Sequence, residues 1–446
     1  MNDHRALWRL AGPLILSNLS VALLALVDTA VVGHLPDPAF LGGTTIGATI
    51  FTFVYWGFGF LRMGTVGLAA QAEGRAEPEA LRRVLGQALV LALSLGALIV
   101  LLQWPVERLA LRLSGASVQV RAQADLYFSI RVWSAPAVLV GYVFLGWFIG
   151  LGNARAPLYL LLVVNGLNVA LDLLFVVGFG LQVAGVALAT LIAEYAGLGL
   201  GLVLVARELR RRPGRWDLRG LLEPASLRRM LAVNRHLFVR TLALLFAFAF
   251  FHVQGARQGD AVLAANAVLL NFQTLMALAL DGIAHAAESL VGQAVGGGQR
   301  APFVRAVRVA TLWSALMAAG FCVGYALAGE RIVAALSDLP QVREQARQYL
   351  PYVVIMPLVA VWSFLLDGVF IGATQARAMR DAMLASVAVY LLLWYLLRPL
   401  GNHGLWLAFT GLMLARGLFM GEAFRRLDRR GAFLSAGAGR QAAQGR

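Results

Sequence analysis

Twelve long apolar runs, separated by short polar stretches, set the pattern of this chain. They cover residues 12–34, 40–72, 84–104, 119–149, 156–180, 183–206, 229–258, 261–296, 303–328, 341–373, 377–400 and 402–424. Each can cross a bilayer as a helix, which takes about 20 apolar residues rising 1.5 Å apiece. Several run beyond about 25 residues, so tilt or extension past the hydrocarbon is expected. The pattern predicts an all-α polytopic membrane protein. No short cleavable signal is recognised, and the first segment, Pro13 to Gly33, is long enough to remain as a helix.

The runs fall into two similar sets of six. Phe148-Ile149-Gly150-Leu151-Gly152-Asn153-Ala154-Arg155-Ala156 resembles Phe370-Ile371-Gly372-Ala373-Thr374-Gln375-Ala376-Arg377-Ala378, 222 residues later. At the same offset Gln71-Ala72-Glu73-Gly74 matches Gln293-Ala294-Val295-Gly296. Two separate matches at one spacing predict a duplicated six-helix unit. Because six is even, both copies enter from the same side, so a pseudo-two-fold axis along the membrane normal is expected. The predicted division is a lobe at 1–206, a basic linker at 207–228 holding Pro213, Gly214 and Pro224, a second lobe at 229–424, and a tail at 425–446.

Composition sharpens this picture. Of the 446 residues 60% are hydrophobic and only 14% charged, against about 25% charged in an ordinary globular domain. Every basic residue is arginine, and the net charge is +15. The arginines cluster in the 207–229 loop (Arg207, Arg210, Arg211, Arg212, Arg215, Arg219) and in the tail (Arg425, Arg426, Arg429, Arg430). Beside spanning helices such clusters follow the positive-inside rule rather than mark nucleic-acid binding. Connections 35–39 and 181–182 carry no arginine, so both termini are expected in the cytoplasm. Cys322 is the single cysteine, which excludes a disulfide or a multi-cysteine metal site. No Walker loop, dinucleotide turn or zinc pattern is found, so no cofactor and no enzyme activity are expected.

Ionisable residues inside the runs carry the functional signal, because each costs at least a few kcal/mol at bilayer depth. They are Asp28, Arg62, Asp172, Glu194, Asp281, His285, Glu288 and Asp367. Asp28 and Asp172 each lie about 16 residues, roughly 24 Å, from the inferred cytoplasmic start of their helices. Asn165, Asn168 and Asp172 recur at spacings of three and four, which stacks them on one face. Exclusion of water disfavours the ionised form of a carboxylate, so such an Asp can take up and release a proton. Paired carboxylates with amide oxygens also suit Na⁺. Helix-to-helix hydrogen bonding is the competing role. Asp281, His285 and Glu288 form a second stripe, at i, i+4 and i+7, and Arg62 is a candidate partner for its acids. Asp367 sits nearer a helix end, where gating or packing competes with transport. Aromatic residues crowd Phe51 to Phe60 and Phe246 to Phe251; those turned inward would form a greasy wall able to hold organic cations.

Certain motifs are familiar. Val27-Asp28-Thr29-Ala30-Val31-Val32-Gly33-His34-Leu35, Ala69-Ala70-Gln71-Ala72 and Gly150-Leu151-Gly152-Asn153-Ala154 resemble the multidrug and toxic compound extrusion (MATE) family. With Leu263-Ala264-Ala265-Asn266 and Asp281-Gly282-Ile283-Ala284, the resemblance narrows to its DinF-like branch and runs from about residue 7 to 425. It implies twelve helices in two lobes and antiport of cationic or amphipathic compounds against H⁺ or Na⁺. It also implies a cation- or proton-binding site at Asp28, Asn168 and Asp172, which is where Na⁺ would sit. Asp367 matches an acid used by other branches, whereas the seventh run offers His252 and Gln254 but no Glu; this favours H⁺ coupling through the first lobe. Glu288 falls where relatives often carry an acid. The expected partners are the lipid bilayer and small amphipathic substrates, with no nucleic acid, and the chain is expected to act as a monomer in the bacterial inner membrane. The competing function is a flippase for a lipid-linked precursor, which would call for several arginines facing the cavity.

Overall fold

Prolines set where many of the helices begin. Pro38, Pro78, Pro224 and Pro340 each open a helix, at the position where a missing N–H costs nothing. Asp37 reinforces the second start, its carboxylate accepting from the Ala39 N–H at 2.8 Å. In this computed structural model residues 3–33, 37–113, 115–221 and 223–434 are described, without the side chains at 25, 26, 28–30, 32, 33, 113, 218 and 219. The described residues are almost wholly helical, and twelve of the helices are long and apolar enough to cross a membrane. The chain is an all-α polytopic protein, as the pattern of runs predicts.

The helix ends differ from the apolar runs in ways that amphipathic ends explain. The first helix starts at Asp3, ahead of the apolar run, because polar residues continue it outside the hydrocarbon. The second run is two helices, Pro38–Gly57 and Phe60–Gly74, parted at Phe58 and Gly59, with glycines on either side of Phe58. The third ends at Leu101 and is followed by a separate helix, Gln103–Leu113. The fifth, Arg155–Asp172, passes directly into a π-helical turn, Leu173–Gly178.

The chain divides into two compact units. One comprises Leu16–Ala69 and Glu77–Met230; the other comprises Met1–Ile15, Ala70–Ala76 and Leu231–Arg446. The first has a core of Phe51, Tyr55, Tyr127, Phe128, Val132 and Val186 among others. The second is built around Phe251, Phe272, Tyr325, Tyr390, Trp406 and Phe409. There Asn266 and Asn402 exchange paired 2.9 Å amide hydrogen bonds, and the Trp406 indole N–H donates to the Asn266 oxygen at 2.9 Å.

The repeat is visible in the backbone. The Asn153 N–H donates to the Phe148 carbonyl at 2.9 Å and Gln375 N–H to Phe370 at 2.9 Å. Gly152 has φ of 74° and its counterpart Thr374 has φ of 54°. The next pair of turns inverts the choice, with Ala76 at 54° and Gly298 at 65°. Glycine tolerates this left-handed region freely, whereas Ala76 and Thr374 hold it under strain. The matched Gln-Ala-x-Gly segments meet each other within one unit. A Cβ on Gly74 would lie 2.0 Å from the Gln293 carbonyl oxygen, and one on Gly296 would lie 2.1 Å from that of Gln71. The repeated glycine is therefore a close-approach residue. Gln71 adds bonds from its amide to the Gly372 carbonyl at 3.2 Å and to the Thr374 hydroxyl at 3.0 Å.

Candidate transport site

The fifth span shows how polar residues are placed at depth. Asn165, Asn168 and Asp172 lie on one helix face and are 8%, 1% and 0% exposed, in a segment whose other face is greasy. Asn165 donates from its amide to the Ser20 hydroxyl at 2.9 Å, and Ser20 donates to the Ser17 carbonyl at 2.7 Å. Asn168 donates to the Thr190 hydroxyl at 3.0 Å, which donates in turn to the Val186 carbonyl at 3.0 Å. The ladder thus joins spans one, five and six. Asp172 follows on the same helix face, at the junction of α-helix and π-turn. Such π-turns loosen the regular backbone and occur often at functional sites. Asp28 lies on the first helix in the same unit, but its side chain falls outside the described residues.

Beside the ladder is a cavity of about 440 Å³, lined from spans one, two, four, five and six. Tyr55, Trp56, Tyr142 and Asn165 face it, together with Arg131 and Glu194. Its size suits a drug-sized molecule, for which pockets of about 300–1,000 Å³ are usual. Arg131 stands where the fourth span tightens to a 3₁₀ turn at Val132–Ser134. It donates to the Tyr127 hydroxyl at 2.6 Å and lies over the rings of Phe51 and Tyr127, at 5.5 and 5.7 Å from their centroids. The aromatic residues of the second run therefore divide: Phe51 and Tyr55 are buried, Trp56 lines the cavity, and Phe53 is 49% exposed.

In the second unit Asp367 accepts hydrogen bonds from two buried guanidinium groups, Arg240 and, at 2.9 Å, Arg416. The three side chains come from the seventh, tenth and twelfth spans and are 6%, 13% and 5% exposed. Asp281 acts electrostatically on Arg416. Glu288 is buried, while Asp281 and His285 are half-buried. His252 is exposed and bonded back to the Phe248 carbonyl at 2.8 Å, and Gln254 is buried. Arg62 belongs to the other unit from Asp281, His285 and Glu288.

Sequence reasoning missed Thr190, which carries no charge and sits in an apolar helix. It also missed Arg416, which looks like one more basic residue near a span end, and it counted Glu194 among the ionisable residues of the runs without giving it a site. Counting every arginine within a run as well would have found Arg416.

The MatE family model matches residues 13–174 and again 237–397, once in each half. The chain is 46% identical over 435 residues to DNA damage-inducible protein F of Escherichia coli (strain K12), covering 98% of this chain and 95% of that protein. It is 27% identical over 450 residues to the probable multidrug resistance protein NorM of Rhizobium meliloti (strain 1021), covering 96% and 94%. Its fold is similar to an outward-facing multidrug resistance MATE family transporter of the MOP superfamily, with TM-score 0.88, 19% identity and 96% and 97% coverage. It is also similar to a MOP superfamily transporter from Pyrococcus furiosus, with TM-score 0.87, 19% identity and 96% of each chain covered.

Proposed function

Because this chain belongs to the MatE family of multidrug and toxic compound extrusion transporters, we propose that it exports amphipathic, often cationic compounds in exchange for H⁺, through Asp172 and Asp28 of the first unit. The observation that carries this reading is the buried ladder of Asn165, Asn168, Thr190 and Asp172 beside an aromatic-walled cavity. A carboxylate held away from water attracts a cation strongly, and neutral amide and hydroxyl dipoles can orient it without cancelling its charge. A proton arriving from outside neutralises the carboxylate, weakens the hold on a cationic substrate, and favours the return to the inward-open state. Such a ligand shifts the conformational balance only through its unequal affinity for the two states. Both termini lie in the cytoplasm, and the protein sits in the inner membrane.

Na⁺ is the second candidate ion, since the Asp172 carboxylate with the side-chain oxygens of Asn168 and Thr190 offers hard ligands. The C-terminal half is disfavoured as a cation site, because two guanidinium groups already occupy Asp367. Reconstituted protein separates these readings when pH and Na⁺ gradients are imposed in turn. Export of a cationic dye driven by the pH gradient, lost in Asp172→Asn while the variant elutes as a folded protein, is the expected result. Undiminished export by Asp172→Asn overturns the mechanism, and export driven by Na⁺ alone replaces H⁺ with Na⁺.

A further inference from the structure

The cavity of the first unit holds a positive group as well as a negative one. Arg131 and Glu194 both line its wall. Among the described residues no carboxylate lies within ion-pair distance of Arg131, whose one hydrogen-bonded side-chain partner is the neutral Tyr127 hydroxyl. Its buried Nε has no hydrogen-bond partner. Glu194 is the acid whose field reaches it. The rest of the wall is largely aliphatic or aromatic, with Val21, Leu24, Trp56 and Leu161 among its members, and its neutral polar residues are Thr52 and Asn165. A guanidinium is costly in such a place, and its planar fork matches an oxyanion with two hydrogen bonds. The ring faces of Phe51 and Tyr127 hold it in position without using its remaining N–H groups.

We infer that Arg131 is the dock for the oxyanion head group of an amphiphilic substrate, with Glu194 as the opposing charge that sets the cavity's preference between anions and cations. The inference rests on the export reading and sharpens its substrate class: amphiphiles bearing a carboxylate, sulfonate or phosphate are taken as well as organic cations. The apolar body packs on the aliphatic and aromatic wall. Removing Arg131 tilts selection toward cations, and removing Glu194 tilts it toward anions.

The test uses two fluorescent probes of one body, a dansyl-undecyl carboxylate and its trimethylammonium analogue, with full-length protein in lipid nanodiscs for binding and in proteoliposomes for export. Wild type is expected to bind both. Arg131→Gln should weaken the carboxylate probe at least tenfold and leave the ammonium probe unchanged or tighter. Arg131→Lys should fall between, having charge without the fork, and Glu194→Gln should show the reverse preference. Unchanged carboxylate affinity in Arg131→Gln overturns the inference, as does an equal loss for both probes, which would mark a purely structural role. A wild type that binds and exports the ammonium probe but not the carboxylate refutes the oxyanion dock alone. One that binds and exports neither refutes the export reading with it. Competition by added phosphatidylglycerol, lost in Arg131→Gln, would identify the head group as a lipid's; no competition would identify a soluble amphiphile. Either result supports the dock.

Discussion

Asp367→Asn removes one carboxylate oxygen from between two buried arginines. In the native protein Arg240 and Arg416 both donate to Asp367, and neither guanidinium is more than 6% exposed. The amide keeps the volume and one acceptor but loses the charge, leaving two positive groups side by side in low dielectric. Breaking a buried pair in this way costs about 3–5 kcal/mol, and Asp281, which acts on Arg416, keeps the loss from the top of that range. For a unit of this size such a loss lowers Tm by roughly 6–20 °C. Cys322 supplies a native reporter, being the single thiol and half-buried in the same unit. A thiol-reactive fluorogenic dye should therefore label Asp367→Asn at a lower temperature than wild type in matched detergent. Replacing all three side chains, with Arg240→Met, Arg416→Met and Asp367→Leu, should recover most of the difference, because no charge is then stranded. Labelling of Asp367→Asn at the wild-type temperature would refute the claim that this carboxylate holds the two arginines.

Gly74→Ala and Gly296→Ala should each destabilise by about 1–3 kcal/mol or more, since the new methyl would meet backbone carbonyls at 2.0 and 2.1 Å. Gly320→Ala is the control in a helix, with nothing within 4 Å of the added Cβ, and should gain about 0.5–1 kcal/mol; the same thermal assay reads all three. Glu107, on Gln103–Leu113 outside the spans, has its carboxyl pushed up from 4.5 to about 7, by burial first and then by hydrogen bonding to and the charge of Asp125, with Arg108 opposing. The folded state therefore keeps this proton where the unfolded chain has lost it, so stability is fullest below pH 4.5 and declines as pH rises through 7. That decline should vanish in Glu107→Gln, and an identical stability profile across this window would count against the raised Glu107 carboxyl.

Much of the fold was legible because bilayer length and helix period act locally. The 222-residue offset pointed to a duplicated unit, and the backbone repeats it: the turns at Gly152 and Thr374 close with the same three bonds, and Ala76 and Gly298 share the left-handed conformation. The face shared by Asn165, Asn168 and Asp172 was legible for the same reason, since three- and four-residue spacing decides it. Partners were not legible. Thr190 joins Asn168 from another helix, and Arg240, Asp367 and Arg416 meet from three helices widely separated in sequence. No local pattern shows such meetings, and an arginine near a span end looks like an orientation signal until its exposure is known.

That distinction bears on where an exchangeable ion can reside. Asp367 cannot release its partners, because they are tethered by their own helices, and any incoming Na⁺ would have to displace a guanidinium making hydrogen bonds as well as charge contact. A proton there would strand both arginines at the cost reckoned above. An acid so held is suited to fixing helices together and poorly suited to a cycle of loading and release. Asp172 is set differently: its own helix face carries the neutral amides of Asn165 and Asn168, and the Thr190 hydroxyl bonds Asn168 from the next span. Neutral dipoles stabilise a charge while it is present and lose little when a proton removes it. The two guanidinium groups on Asp367, more than depth or burial, are why the proposed coupling site lies in the first unit.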